Sequence, residues 1–145
     1  MQDLDFNEIV ELIRKEDGRY HRRAYIFVRE GLDKTVKAIK QADAAQSRQS
    51  MHITGRELSH GLKTHALDQY GPMAKLVLAE WGIRTTSDFG EIVYNLIEYN
   101  VFSKTDSDRK EHFDAVYDFD DVFVRPFRPD RRLGDTASVG CQSSD

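Results

Sequence analysis

The sequence predicts a mainly α-helical protein with a single compact helical domain and a small β-hairpin near the C-terminus. Apolar residues recur at helical spacing in several segments, and capping and stop signals separate those segments. After residue 112, aromatic residues alternate with polar ones, which is typical of a strand and predicts the hairpin. The resulting order of elements is winged-helix-like in outline. We place the globular domain at residues 1–128 and expect residues 129–145, which are poor in apolar side chains, to be a disordered tail.

Length and composition favour a soluble globular protein. A chain of 145 residues, with 39% hydrophobic and 32% charged residues, suggests one domain that can bury a core without disulfides. The longest apolar runs are shorter than the roughly 20 residues that span a bilayer. The acidic, amphipathic start lacks the features of a signal peptide, and the one cysteine, Cys141, has no internal disulfide partner. We therefore expect a cytoplasmic protein.

Two helices are predicted before residue 41. The first runs from about Asp5 to Glu16, and Asp5 and Glu8 have the spacing of a capping box. The second runs from about Tyr20 to Lys40, and its apolar stripe includes Gly31. Glycine inside a helix costs about 1 kcal/mol relative to alanine. We expect close approach of a neighbouring helix or aromatic ring to offset that cost.

Three more helices are predicted in residues 51–102. Thr54 and Glu57 have capping-box spacing and begin the first of them, which Gly71 ends. The second is short and apolar on nearly every side, which predicts a helix buried all round with Trp81 near the middle of the core. Gly82 is its expected stop. A cap at residue 86 or 87 begins the third helix, whose apolar residues repeat at i, i+3, i+4 and i+7.

The predicted strand covers residues 113–120, where Phe113, Ala115, Tyr117 and Phe119 alternate with mainly acidic residues. It has two candidate partners, residues 101–104 and a short strand at residues 51–53. The same region contains an aromatic cluster of Tyr117, Phe119 and Phe123. We expect these three rings to complete the core, and the alternative is an aromatic, acidic docking peptide for a partner.

The sequence contains no recognisable catalytic motif. His60 and His65 are five residues apart, which is not the i, i+4 spacing of a zinc helix, and no cysteine cluster completes a metal site. The acids at residues 106–108 begin like a calcium loop, but the later positions of the loop do not match. Nucleotide-binding glycine motifs and a nucleophile elbow are also absent. We therefore predict no metal and no cofactor.

Charge is segregated along the chain. Residues 14–40 carry nine basic and four acidic residues, whereas residues 104–121 carry three basic and seven acidic residues. Arg19, Arg22 and Arg23 form the densest basic cluster and are candidates for binding an anion or a partner. Three roles are open for this cluster: internal pairing with Asp118–Asp121, which we prefer, contact with an acidic protein, or contact with nucleic-acid phosphates.

Four segments resemble a known protein family. They are residues 27–33 (FVREGLD), 71–83 (GPMAKLVLAEWGI), 88–98 (DFGEIVYNLIE) and 117–123 (YDFDDVF). In this order they are similar to an uncharacterised bacterial family of conserved hypothetical proteins, described as restricted to planctomycetes and verrucomicrobia. The resemblance covers roughly residues 5–128. It implies no reaction, ligand or site residue, because no function is established for that family.

These observations lead to three functional hypotheses. The first is a small, non-enzymatic, cytoplasmic module that acts through protein–protein contact and has no membrane partner. The alternative is a winged-helix-like protein that binds nucleic acid through the basic segment Arg14–Arg23. That alternative is disfavoured because the helix that would enter the DNA groove exposes three acids and no basic residue. The second alternative is an enzyme whose site is assembled in space from scattered His and Asp residues.

Overall fold

The computed structural model describes residues 5–42, 53–102 and 110–128, and these residues form five α-helices. The helices are α1 (Phe6–Glu16), α2 (Arg22–Ala42), α3 (Gly55–Tyr70), α4 (Ala74–Glu80) and α5 (Thr86–Glu98). A 3-10 turn, Gly71–Met73, connects α3 to α4. Residues 110–128, which we call the C-terminal segment, contain only short 3-10 and π-helical turns. The predicted mainly α class is confirmed for these residues.

Two predicted helix starts are confirmed by their hydrogen bonds. At α1, the backbone N–H of Glu8 donates to Asp5 Oδ1 (2.9 Å), and the N–H of Asp5 donates to Glu8 Oε1 (3.1 Å). At α3, Thr54 and Glu57 exchange the same two bonds at 3.0 Å each. Each capping box satisfies two backbone donors that have no partner inside the helix. Local side-chain chemistry therefore determines where α1 and α3 begin.

The start of α5 differs by one residue from the prediction. The N-cap is Thr85, and Asp88 Oδ2 accepts from the backbone N–H groups of Thr85 (3.1 Å) and Arg84 (2.8 Å). Thr86 is buried, and its Oγ1 accepts from the N–H of Val116 at 3.1 Å. The Thr86 hydroxyl thus binds the C-terminal segment, which leaves the capping role to the preceding threonine.

The closest helix packing is between α2 and α3, and two glycines make it possible. A Cβ atom at Gly31 would lie 2.3 Å from Leu62 Cδ2, and one at Gly61 would lie 1.9 Å from Thr35 Oγ1. No real Cβ atom tolerates such distances, so the two helices approach because each lacks a side chain where the other is bulky. The predicted close approach at Gly31 is confirmed, and the neighbour is a helix.

The core lies between α2, α3 and α5. Helices α1 and α4 and the C-terminal segment cover these three helices. The buried Trp81 contacts Phe27 and Tyr70, with ring centroids 5.7 and 5.8 Å apart. The largest apolar side chains with almost no exposed surface come from all five helices, the connection between α4 and α5, and the C-terminal segment: Val10, Ile13, Tyr25, Val28, Leu62, Leu78, Ile83, Phe89, Ile92, Leu96 and Phe123. One continuous core therefore holds all the described elements together.

The predicted β-hairpin, and with it the wing of a winged helix, is wrong for the described residues. The backbone makes a 3-10 turn at Lys110–Phe113, has a positive φ of 48° at Ala115 and forms a π-helical turn at Asp120–Val124. An isolated strand leaves its backbone donors unpaired, and the described chain offers no second strand. Side chains pair them instead, as where the N–H of Asp120 donates to Asp118 Oδ1 (2.8 Å).

Aromatic anchoring explains the alternation that resembles a strand. A Cβ atom at either Gly55 of α3 or Gly90 of α5 would lie 3.0 Å from atoms of Phe113, so this ring fills the space between two glycines. The next aromatic residues, Tyr117 and Phe119, then turn inward from an irregular backbone. The two-residue spacing of the aromatic residues arises here because their side chains enter the core one after another from an irregular, turning backbone.

Several sequence predictions concern residues outside the described ranges. These are the tail at residues 129–145 with Cys141, the acids at residues 106–108, and residues 51 and 52 of the suspected short strand. Ile53, the third residue of that suspected strand, is described and is not in a strand.

Candidate functional site

Arg19, the first residue of the predicted basic cluster, is held in an internal ion pair. It lies at the corner between α1 and α2, where its Nε donates to Asp17 Oδ1 (2.9 Å) and its Nη2 donates to Asp17 Oδ2 (2.7 Å). The same Nη2 lies 3.2 Å from Glu91 Oε1 on α5. Bidentate bonding from the guanidinium holds the pKa of Asp17 well below its usual range. Arg19 therefore connects the corner to α5.

The remaining arginines of the basic segment have different surroundings. Arg14 Nε donates to the backbone oxygen of Tyr20 at 3.1 Å. Arg22 and Arg23 are exposed at the start of α2, and neither forms an ion pair with another described residue. The predicted anion-binding cluster thus divides into one internally paired arginine and two solvent-facing ones.

The preferred internal partners of the basic cluster, Asp118–Asp121, have other partners in the structure. Asp120 Oδ1 lies 2.5 Å from Lys75 Nζ on α4, and Asp121 Oδ1 lies 3.2 Å from Arg125 Nε. Both pairs are well exposed. Internal neutralisation occurs, but within the described residues it joins Arg19 to Asp17 and Glu91, and joins Asp120 to α4.

The three candidate docking aromatics lie against the core. Phe119 and Phe123 are buried with ring centroids 5.0 Å apart, and Phe119 also packs against Phe89 of α5 at 5.9 Å. Tyr117 donates its hydroxyl to the backbone oxygen of Ser59 at 2.6 Å, and burial raises the pKa of this phenol. A docking role would require these rings to leave the core, whereas the preferred core-completing role matches their position.

Helix α4 contradicts the prediction of a helix buried all round. Ala74 and Leu78 are buried, but Leu76 is 61% exposed and Met73, one turn earlier, is 53% exposed. Gly82 ends the helical segment with a φ of 94°, as expected for a left-handed stop. Helix α4 packs on α3 and on residues 120–124, and the side chains of Met73 and Leu76 remain exposed in the part of the chain that the structure describes. We call this outer apolar surface, centred on Met73 and Leu76, the α4 face.

Basic residues border the α4 face on one side. Lys75 precedes Leu76, and Arg125 and Arg128 of the C-terminal segment lie near enough to Asp120 to lower its pKa after the larger effect of Lys75. Phe127, between those two arginines, is 46% exposed. At the opposite end, one turn beyond Leu76, the exposed residue is Glu80. The face therefore has an apolar centre, a basic border and an acidic far end.

A groove of about 520 Å³ lies between α2 and α3, and sequence reasoning missed it. Both His60 and His65 line it, although their spacing places them on different faces of an isolated helix. The two histidines meet one groove because α2 crosses α3 between them. Its other lining residues are Lys34, Thr35, Ala38, Ile39, Glu57, Gly61, Thr64 and Asp68.

A second cavity, of about 590 Å³, lies beside the start of α5, between Arg84 and Tyr117. Its polar groups bind one another. Ser87 Oγ donates to Asp114 Oδ1 (2.8 Å), Asp88 accepts from the two backbone N–H groups named above, and Asp120 pairs with Lys75. Because these interactions use the side chains that face it, this cavity is part of the connection between α5 and the C-terminal segment.

Within the described ranges, no group of three or more His, Cys, Asp or Glu side chains is arranged to hold a metal ion. None of the helices there has both the length and the apolar character that crossing a bilayer requires. Comparisons of the chain with protein-family models, curated proteins and solved structures yield no match.

Proposed function

We propose that this protein is a protein–protein interaction module that binds its partner through the α4 face. The observation that carries the proposal is the exposure of Met73, just before α4, and of Leu76 on α4, a helix that buries Ala74 and Leu78 on its other side. Adjacent, well-exposed apolar side chains on a stable helix are typical of binding surfaces, whereas isolated ones are ordinary.

Charge complementarity indicates the chemistry of the partner. The basic border contains three cations (Lys75, Arg125 and Arg128) and two carboxylates. Asp120 pairs with Lys75 and Asp121 pairs with Arg125, which leaves Arg128 without an ion pair among the described residues. A partner with apolar anchors and acidic residues on one flank would place the anchors on Leu76 and the acids towards Arg125 and Arg128. Such charges accelerate association and select the orientation of the partner more than they add affinity.

Fluorescence anisotropy with a labelled amphipathic peptide tests the proposal. The probe is a helix-forming peptide with leucines on one face and glutamates along one flank, and its matched control carries lysines in place of the glutamates. We expect the acidic peptide to bind and the basic one to bind at least roughly tenfold more weakly, which corresponds to about 1.4 kcal/mol.

Two matched serine substitutions locate the binding. Leu76→Ser removes the centre of the α4 face, and we expect about a tenfold loss of peptide affinity. Leu12→Ser is the control, because Leu12 is a 39% exposed leucine on α1. Equal losses in the two variants, or equal binding of the two peptides, would contradict the proposal. A concentration-dependent dimer that Leu76→Ser abolishes in sedimentation velocity would identify a second copy of this chain as the occupant instead.

Nucleic-acid binding is the second candidate function, and the exposed pair Arg22 and Arg23 supports it. Two adjacent arginines at a helix start can contact phosphates, and such contacts weaken steeply with added salt. We expect little binding of labelled duplex DNA or single-stranded RNA at physiological salt, because Arg19 is engaged with Asp17 and Glu91. Salt-sensitive binding that disappears in Arg22→Ala/Arg23→Ala would favour this candidate over the peptide-binding one.

A further inference from the structure

The groove between α2 and α3 has the dimensions of a small-molecule site. Its volume of about 520 Å³ lies within the roughly 300–1,000 Å³ typical of ligand pockets. The surface that faces it is mostly carbon, and Ala38, Ile39 and Gly61 are among the residues that line it. The tight crossing at Gly61 and Thr35 forms its floor, so the shape of the groove follows from the packing of the two helices.

His65 forms part of the wall of the groove, and its ring lacks one of the hydrogen bonds that a buried histidine usually makes. Its side chain is 2% exposed and stacks on Phe27 with ring centroids 4.9 Å apart. Nε2 lies 3.4 Å from Glu30 Oε1, while Nδ1 has no hydrogen-bond partner. A buried polar atom without a partner is destabilising, so a purely apolar residue here would pack at lower cost. Violations of this kind concentrate at functional sites.

Acidic groups predominate around this end of the groove. Glu30 and Asp68 both interact electrostatically with His65, and Lys34 is the cation that opposes them. Burial outweighs the two carboxylates and lowers the pKa of His65, so the imidazole is neutral at pH 7. The charged groups around His65 are therefore net negative, because the two carboxylates of Glu30 and Asp68 outnumber the one ammonium group of Lys34.

We propose that this groove binds a small organic amine, with its apolar body along Ala38 and Ile39 and its ammonium group at the His65 end, where Asp68 lines the groove and Glu30 lies beside the imidazole. A protonated amine complements the local charge, and the carboxylates supply charge-assisted acceptors for its N–H groups. The apolar part of the ligand covers the carbon-rich wall. A cationic ligand of this class uses both features of the groove, whereas an anion would face the two carboxylates.

Three probes of equal length separate charge from apolar burial: 4-phenylbutylamine, 4-phenylbutanol and 4-phenylbutyrate. Backbone amide chemical shifts of the uniformly ¹⁵N-labelled full chain report the binding position by NMR. We expect the amine to shift the amides of residues 34–39 and 60–65, with an affinity roughly fivefold above that of the alcohol and with no saturable shift from the acid. Fivefold corresponds to about 1 kcal/mol, the upper range of an exposed ion pair.

Two pairs of variants test the assignment. Glu30→Gln/Asp68→Asn removes the carboxylates and is expected to reduce the amine's affinity to that of the alcohol. Glu80→Gln/Glu98→Gln makes the same charge change at exposed positions away from the groove and is expected to have no effect. Thr64→Leu fills the groove from an exposed position and should abolish binding of both probes, whereas Gln69→Leu, on α3 but outside the lining, should not.

The outcomes distinguish the proposal from its rivals. Equal binding of the amine, alcohol and acid would show an apolar cleft without charge selection and would overturn it. Absence of shifts in the groove amides, or binding that persists in Thr64→Leu, would also overturn it. None of these results depends on the α4 face, because the peptide experiment uses other residues.

Discussion

His65 shows at the residue scale how a buried histidine can be costly. Its Nδ1 has no partner, and its ring already stacks on an aromatic neighbour, Phe27. We expect His65→Phe to keep the stacking, remove the unsatisfied nitrogen and raise the free energy of unfolding at pH 7 by about 1 kcal/mol. Urea denaturation measures this change. A loss of more than about 2 kcal/mol would mean that the imidazole makes stabilising interactions that phenylalanine cannot replace.

The same residue should make stability depend on pH. Burial lowers the pKa of His65 in the folded state, so the unfolded chain binds a proton first as the pH falls. Stability is therefore fully present above the ordinary histidine pKa of 6.5 and declines as the pH drops below it towards the lowered folded value. His60 adds an effect of the same sign, because burial lowers its pKa too. Urea midpoints from pH 7.5 to pH 5.0 should fall in the wild type and fall less in His65→Phe; parallel curves would contradict the assignment.

The sequence singled out Arg19, His60 and His65, but it did not predict which residues surround them in the fold. Arg19 was expected to pair internally, and it does, but with Asp17 and Glu91 rather than with Asp118–Asp121. Side-chain partners that lie far apart in sequence depend on how helices cross, which periodicity cannot specify. The groove was missed for the same reason, since His60 and His65 share it only because α2 lies across α3.

At the scale of elements, the crossing of α2 and α3 depends on the absence of a side chain at Gly61. Alanine favours a helix over glycine by about 1 kcal/mol, but a Cβ atom here would overlap Thr35 Oγ1 at 1.9 Å. Overpacking costs roughly 1–3 kcal/mol, so we expect Gly61→Ala to destabilise the fold despite its better helix propensity. Thermal or urea unfolding measures the change, with Gly18→Ala as control, because the nearest atom to a Cβ at Gly18 is 3.7 Å away.

A double-mutant cycle isolates the cause of that loss. Thr35→Ala alone removes a hydroxyl that donates to the backbone oxygen of Gly31 at 2.7 Å, and should itself be destabilising. In Gly61→Ala/Thr35→Ala the closest overlap is removed and the nearest remaining atom is the Cβ of residue 35 at 3.0 Å, so the double variant should be more stable than the sum of the two single losses predicts. Additive losses would show that the destabilisation by Gly61→Ala does not arise from the contact with Thr35.

The five helices could be predicted from sequence because their signals are local. Capping boxes at Asp5 and Thr54, the stop at Gly82 and apolar stripes at helical period need no knowledge of the fold. Local sequence signals could not show that two other predictions, the strand at residues 113–120 and the complete burial of α4, are wrong. A strand requires a partner strand, and the burial of a helix requires a covering element, so both depend on what the rest of the chain provides.

At the scale of the whole molecule, the C-terminal segment is part of the core. Phe113 lies against Gly55 and Gly90, and Phe119 and Phe123 are buried against the helices. Tyr117 adds a hydrogen bond to the backbone of α3, and Val116 adds one to Thr86 of α5. Three buried phenylalanines of the core therefore come from residues that follow all five helices. We expect the helical domain to depend on residues 110–128.

Truncation tests this dependence. We expect a chain ending at residue 128 to unfold in urea with the same midpoint and slope as the full chain. A chain ending at residue 102 lacks three buried phenylalanines. Since each phenylalanine-to-alanine change in a core costs about 3–5 kcal/mol, the shorter chain should lose cooperative unfolding altogether. Far-UV circular dichroism during the titration reports both quantities. A cooperative transition of undiminished slope in the 102-residue chain would show that the five helices fold independently and that the aromatic segment only covers a finished core.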